Sequence, residues 1–180
     1  MSKASKILLQ INDKMGHPLY KVEKQHPFWS KNAISIGSLA VSRGAKDCIA
    51  SFVGTRSNDL TQHYSDYETI QQKEVIPEAV LSNFVSGWLK EYSKTEGKKL
   101  PGVILLYREG LNEKQAGKVL AEELNILHKA FEEISGKAKI ADWKPKLIYL
   151  LVSQKNGTRA YEIDRGGRLS NPLPGTIIGS

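Results

Sequence analysis

LPGVILLYREGLNEKQ, residues Leu100–Gln115, decides the fold of this chain. A Pro-Gly turn signal is followed there by a continuous apolar run from valine to tyrosine. Such a run between turn signals is typical of a strand buried on both faces, as parallel strands are. Arg108 and Glu109 come at its carboxyl end, where open α/β sheets place their ligand sites. Asn112 and Gln115 then have the spacing of a helix capping box.

An amphipathic helix is predicted on each side of this strand along the chain. The first begins after Pro77, because proline is favoured in the first helical turn. Its apolar residues recur every four positions, at Val80, Phe84, Trp88 and Tyr92. The second runs from Glu113 to Ile134 and is predicted to end at Gly136. Its apolar positions are Ala116, Leu120, Leu124, Leu127, Phe131 and Ile134.

Strands are predicted towards both ends of the chain. Residues Ile34–Val41, Cys48–Gly54 and Leu60–Tyr67 are predicted to form consecutive strands with short connections. Short connections favour an antiparallel meander. Leu147–Val152 predicts another buried strand, and an Asn-Gly turn predicts that Arg159–Ile163 pairs with it as a hairpin.

The bulk composition describes a basic, single-domain protein. The chain has 180 residues, of which 40% are hydrophobic and 25% charged, and this length supports one core. No apolar run approaches the roughly 18 residues of a membrane helix, and the N-terminus lacks a signal-peptide core. The single cysteine, Cys48, excludes an internal disulfide and a multi-cysteine metal site. These features predict an intracellular protein of the cytoplasm or nucleus, without a membrane partner.

Positive charge points to a polyanionic partner. The net charge is +7, and lysines outnumber acidic residues in residues 1–31. A basic balance favours nucleic acid through counterion release. A basic protein with no nucleic-acid role has the same composition, so charge alone leaves both alternatives open. The chain contains no P-loop, dinucleotide-binding glycine pattern or zinc-ligand spacing.

Several ordered blocks resemble one protein family. VILLYREGLNEKQ is similar to the strand-to-helix segment of the PIWI domain of Argonaute and PIWI proteins, which usually contains YRDG. LLQINDKMGHPLYKVE resembles the opening of that domain, QKNGTRAY resembles its QK…TRxF strand, and NPLPGTIIGS resembles its NPxPGTVVD segment. The resemblance implies an α/β fold, an RNase H-like mixed sheet flanked by helices. It also implies that the C-terminal helices are missing, and that an apolar sheet face is uncovered.

The resemblance also implies a domain division and a set of RNA contacts. Residues 1–31 correspond to a basic segment at the seam between the middle and PIWI domains, and residues 32–180 to a partial PIWI domain. A loop at 12–16 would help to hold the guide 5′-phosphate through Gln10, Asn12 and Lys14. Lys155 and Arg159 would contact guide backbone phosphates. The alternative is that these are ordinary exposed side chains.

The family's cleavage site is degenerate in this sequence. RNase H-like cleavage uses carboxylates to hold two divalent ions. By resemblance, the first aspartate position is Leu39, the glutamate that completes the site is Glu74, and the third carboxylate is Glu109. The fourth ligand would follow residue 180. Glu74 has an alternative role as a helix-start carboxylate stabilised by the helix dipole. The expectation is no metal, no cofactor and no slicing, with Mg²⁺ needed only if the site is active.

The sequence therefore predicts a guide RNA-binding module of RNA silencing, without enzymatic activity. Its partner would be a small guide RNA or another single-stranded nucleic acid. The second hypothesis is a protein-interaction module that docks a partner on the exposed apolar face. The third, an active RNA-guided endoribonuclease, fits the remaining carboxylates least well.

Overall fold

A computed structural model describes residues 3–15, 27–44, 46–71, 75–109, 111, 113–138, 143–153, 157 and 159–177. The helices are α1 (Lys3–Lys14), α2 (Pro27–Lys31), α3 (Glu78–Thr95) and α4 (Glu113–Ala138). The strands are β1 (Ile34–Arg43), β2 (Cys48–Thr55), β3 (His63–Ile70), β4 (Val103–Glu109), β5 (Lys146–Val152), β6 (Glu162–Ile163) and β7 (Leu169–Ser170). Within these residues, no helix is long and apolar enough to cross a membrane.

The main sheet has five strands in the order β3-β2-β1-β4-β5. The first three strands form the predicted antiparallel meander, with Leu39 opposite Phe52. Strands β1, β4 and β5 run parallel, and Gly37 is in register with Leu106. The apolar run at Val103–Leu106 is buried, as a strand between two parallel neighbours should be. The predicted mixed sheet with flanking helices is therefore confirmed.

Helices α3 and α4 share one core with one face of the sheet. Leu39, Phe52 and Leu106 from the sheet join Trp88 of α3 and Leu127 of α4 in this core. Helix α3 begins after Pro77, and its last turn is followed by Gly97 in the left-handed region, with φ of 63°. Glycine adopts that conformation readily, so the chain can reverse there and enter β4.

Four sequence predictions about local structure are wrong. The third strand is His63–Ile70 rather than Leu60–Tyr67, because Leu60 lies in a turn with φ of 63°. The loop predicted from Asn12 is helical through Lys14, because Ile7 and Ile11 lie one helical turn apart and continue an amphipathic pattern. Helix α4 does not end at Gly136 but continues to Ala138, since an isolated glycine costs only about 1 kcal/mol in a helix. Strand β6 pairs with β7 rather than with β5.

Close packing at Gly54 gives a prediction about stability. A Cβ atom at this position would lie 2.5 Å from Trp88 Nε1, and that indole is held by its 2.7 Å hydrogen bond to the Thr55 carbonyl. We expect Gly54→Ala to lower the free energy of unfolding by about 1–3 kcal/mol, through overpacking. Urea denaturation followed by tryptophan fluorescence measures the change.

Gly117→Ala is the matched control for Gly54→Ala. Gly117 lies inside α4, and nothing is within 4 Å of the position of an added Cβ. The same chemical change should therefore stabilise the protein by about 0.5–1 kcal/mol through helix propensity. Equal effects of the two substitutions would contradict the close approach at Gly54.

Candidate functional site

The carboxyl ends of β1, β4 and β5 meet at one edge of the sheet. Glu109 is the last residue of β4 and pairs with Val152 of β5. Leu39 of β1 is in register with Arg108, one residue before Glu109. Because side chains alternate along a strand, the Leu39 and Glu109 side chains face opposite sides of the sheet. The strands are neighbours, as the resemblance requires, but the two side chains do not converge.

Leu39 belongs to the hydrophobic core. Its side chain is fully buried in the cluster that includes Phe52, Trp88 and Leu106. Glu109 is half-buried at the strand end. Glu74 lies outside the residues that the structure describes, so its predicted role stays a prediction. The residue that the resemblance assigns to the first aspartate position is therefore a packing residue in this chain.

A buried ion pair lies beside this strand end. The Arg108 and Glu123 side chains are 1% and 0% exposed, and Arg108 Nε donates to Glu123 Oε2 at 3.0 Å and to Oε1 at 3.2 Å. Arg108 Nη1 also donates to the carbonyl oxygen of Glu109 at 2.5 Å. The pair therefore joins α4 to the carboxyl end of β4 and holds the backbone of Glu109.

Glu123 also binds two further elements. Its Oε2 accepts a hydrogen bond from the Tyr149 hydroxyl of β5, and its Oε1 accepts one from the backbone N–H of Ile76 at 3.3 Å. Burial, together with the Glu123 carboxylate, raises the pKa of Tyr149 well above its ordinary value. The hydroxyl is therefore a neutral donor at physiological pH. One carboxylate thus connects α4 with β4, β5 and the segment that leads into α3.

The spacing of apolar residues in α4 already indicates that Glu123 is buried, although the predicted apolar stripe does not include it. Glu123 lies three residues after Leu120 and four before Leu127, so it falls on the apolar side of the predicted helix. The observed stripe is rotated from the predicted one and is centred on Val119, Glu123, Ile126, Leu127, Ala130 and Phe131. A charged residue inside an apolar stripe requires a buried partner, and Arg108 provides it.

The predicted phosphate contacts are partly brought together. Gln10 and Lys14 are exposed and lie one helical turn apart on α1, so they share a face. Asn12 is half-buried, and its helical position places it on another side of α1. Arg159 is exposed in the segment before β6, and Lys155 lies outside the described residues.

A row of exposed apolar side chains crosses the sheet face opposite α3 and α4. Val53 of β2, Tyr107 of β4 and Leu150 of β5 are exposed by 44%, 37% and 40%. Val53 and Tyr107 are paired with Ser38 of β1 from its two sides, and Tyr107 is also paired with Leu150. We call these residues the open face. It agrees with the uncovered apolar face expected from the sequence.

A metal site in a protein requires several carboxylate, histidine or cysteine side chains close together. No group of three or more His, Cys, Asp or Glu residues that could hold a metal ion occurs in the described part of the chain. Two Mg²⁺ ions need several oxygen ligands directed at common points. At the strand ends, the described residues instead provide Leu39, the Arg108 guanidinium and a single carboxylate, Glu109. The described residues alone, without Glu74, therefore do not supply the carboxylates that the two-metal RNase H-like reaction requires.

Comparison with known sequences identifies relatives along nearly the whole chain. A family model described as the Piwi domain matches residues 1–180. Protein argonaute-3 of Drosophila melanogaster is 31% identical over 98% of this chain and 19% of its own length. Piwi-like protein Siwi of Bombyx mori is 29% identical over 99% of this chain and 19% of its own length. The chain therefore spans about a fifth of the length of these curated relatives.

Solved structures share the fold. The Kluyveromyces polysporus Argonaute, crystallised with a guide RNA, superimposes with a TM-score of 0.70 at 17% identity, over 93% of this chain and 20% of that one. Drosophila Piwi superimposes with a TM-score of 0.57 at 19% identity, over 82% of this chain and 19% of that one. At these identities the superpositions show the fold alone.

Proposed function

This chain belongs to the Piwi domain family, and we propose that it is a nucleic-acid-binding module of RNA silencing that holds a guide strand without cutting RNA. Fold and family support the guide-binding half of this proposal. The observation that carries the other half is Leu39, which is fully buried in the core at the first-aspartate position. The neighbouring Arg108 is already paired with Glu123.

Guide binding would rely on cationic side chains that contact phosphates. A lysine ammonium binds phosphate as a point charge, and an arginine guanidinium can bind it through two hydrogen bonds. Lys14 and Arg159 are exposed. The resemblance described above assigns both to segments that bind phosphates in the family. The net charge of +7 adds long-range attraction for a polyanion.

Charge reversal at these two residues tests the proposed contacts. We expect Lys14→Glu with Arg159→Glu to weaken binding of a fluorescein-labelled, 5′-phosphorylated single-stranded RNA. Two lost phosphate contacts should reduce the slope of log Kd against log salt concentration by about 1.4, since each contact to a single strand contributes about 0.7. Fluorescence anisotropy at several salt concentrations measures both quantities.

The control variant is Lys90→Glu with Lys99→Glu, which changes the net charge equally at exposed positions near the end of α3. It should leave the salt slope close to that of the unmodified protein. The same RNA with a 5′-hydroxyl tests Lys14 separately, because only a phosphate contact distinguishes the two ligands. An unchanged salt slope in the Lys14/Arg159 variant would remove these residues from the proposal.

A second candidate function, a protein-interaction module, is favoured by the open face. The open face brings together exposed apolar side chains from three strands, with Ser38 of β1 between two of them, and such patches are typical of contact sites. Experiments can distinguish RNA binding from docking of a partner protein on the open face. RNA binding depends on salt and on basic side chains, whereas docking on the open face would depend on Val53, Tyr107 and Leu150.

A further inference from the structure

A groove lies between β3 and the first half of α3, away from the open face. Its volume is 390 Å³. Ile70 and Phe84 are buried and form an apolar floor with the half-buried Val80. Asp66 and Glu68 stand on the strand side of the groove, and Asn83 faces them from the helix. The groove can therefore enclose an apolar stem and offer oxygen atoms to its polar end.

Strand β3 forms the wall of this groove and an edge of the sheet. It pairs with β2 along one side, from His63 to Ile70, and has no strand on its other side in the described chain. An edge strand presents backbone N–H and C=O groups that can pair with an added strand. In a strand added to β3, successive side chains would point to opposite faces of the sheet. Every second side chain of the added strand would therefore enter the groove.

The charge of the groove is opposite to that of the protein as a whole. Two of its lining residues are acidic, and none of the described residues that line it is basic. Asp66 is held in place, because its Oδ2 accepts a 2.8 Å hydrogen bond from the Tyr64 hydroxyl and its Oδ1 accepts one from the Tyr67 backbone N–H. A phosphate backbone would be repelled here, whereas a cationic side chain with an aliphatic stem would find both an apolar floor and carboxylates.

We propose that the groove between β3 and α3 binds an extended, arginine- or lysine-containing segment of a partner protein by strand addition to β3. Backbone hydrogen bonds to β3 supply the attachment. A long cationic side chain lies over Phe84 and Val80, with its charge beside Glu68 and Asp66. This site is separate from the proposed nucleic-acid contacts, because the described residues that line it are acidic, apolar or uncharged polar, and none is basic.

A labelled peptide tests the proposal. The probe is a fluorescein-labelled heptapeptide of alternating arginine and valine, and the comparison peptide alternates glutamate and valine. We expect the unmodified chain to bind only the arginine peptide, and Glu68→Lys to weaken that binding about tenfold, through lost attraction and added repulsion. Ala79→Trp should abolish binding by filling the groove. Hydrogen exchange should show slower exchange of β3 backbone amides when the peptide is bound.

Glu132→Lys is the control for Glu68→Lys, because it makes the same charge change at an exposed position on α4. It should reduce peptide binding by less than about twofold. Equal loss in the two variants, equal binding of the glutamate peptide, or no change in exchange of the β3 amides would each overturn the proposal.

Discussion

Replacing Glu123 by alanine is expected to lower the free energy of unfolding by about 3–5 kcal/mol, because it leaves the Arg108 guanidinium buried without its counter-charge. Both side chains of this pair are essentially inaccessible to water. The substitution also removes the acceptor for the Tyr149 hydroxyl and for the Ile76 backbone N–H. Urea denaturation monitored by fluorescence of the buried Trp88 measures the loss.

The adjacent residue provides a matched control. Glu122 is exposed, and its ion pair with Lys118 is long, at 3.9 Å. Glu122→Ala should therefore change the free energy of unfolding by no more than about 0.5 kcal/mol. A loss of less than about 1 kcal/mol for Glu123→Ala would contradict the buried network.

The double variant Arg108→Met with Glu123→Leu distinguishes two free energies. One is the cost of burying Arg108 without a counter-charge, and the other is the net contribution of the ion pair to stability. Replacing both members of a buried ion pair by apolar residues is often nearly neutral. Here two donors would still lose their acceptor, at about 1–3 kcal/mol each. We therefore expect the double variant to be more stable than Glu123→Ala and less stable than the unmodified protein. A double variant less stable than Glu123→Ala would refute this assignment of costs.

Introducing the carboxylate that the family places at the first-aspartate position should destabilise the fold without producing cleavage. Leu39 is completely buried among apolar side chains. Leu39→Ala should cost about 2–5 kcal/mol through the cavity it leaves. Leu39→Asp should lower the free energy of unfolding by more than Leu39→Ala, because it loses the same apolar contacts and also buries a carboxyl group.

The loss for Leu39→Asp should depend on pH in a defined direction. Burial raises the pKa of the introduced carboxyl above its unfolded value of about 3.9. Arg108, in register with this position, acts in the opposite direction, but Glu123 already neutralises its charge, so we expect burial to outweigh it. Between those two pKa values the folded state binds more protons than the unfolded state, so stability falls as pH rises, by at most about 1.4 kcal/mol per unit. Urea denaturation from pH 4 to pH 8 measures this slope. Leu39→Asn is the control, because it is polar but does not titrate in this range.

The same protein samples test the absence of slicing. We expect neither the unmodified chain nor Leu39→Asp to cut an RNA target paired with a guide in Mg²⁺ or Mn²⁺. Leu39 and Glu109 face opposite sides of the sheet, so restoring one carboxylate does not bring two together. Sustained cleavage by the unmodified chain, lost in Glu109→Ala, would refute the proposal of an inactive site.

Much of the sheet and of both long helices was predictable because their apolar patterns are local. The buried run at 103–106 and the four-residue spacing of α3 each identify an element without reference to the rest of the chain. Strand pairing was less predictable. An Asn-Gly turn suggested a hairpin with β5, but the β6 strand, which has exposed residues, pairs with the equally short β7. Short strands with exposed side chains have little hydrophobic pattern, so their sequence specifies their pairing partner only weakly.

The candidate site was predictable only in part. The resemblance assigned Leu39 and Glu109 to one site, and the structure places their strands side by side, although the two side chains face opposite sides of the sheet. That Glu123 would reach Arg108, Tyr149 and Ile76 at once depends on the rotation of α4 against the sheet. The rotation of a helix about its axis depends on how its whole face packs. The spacing of apolar residues predicts that rotation only to within about one residue.

The pairing of β1 also determines the order in which a nascent chain can complete its sheet. One side of β1 joins β2, its immediate successor, but the other side joins β4, where Ile34 meets Val103. A polypeptide emerging from the ribosome therefore has every partner for the meander long before β4 has been translated. Closing the intervening segment carries a loop entropy that delays the parallel pair. During that interval the inner side of β1 is an open strand edge, the kind of surface that chaperones protect from aggregation.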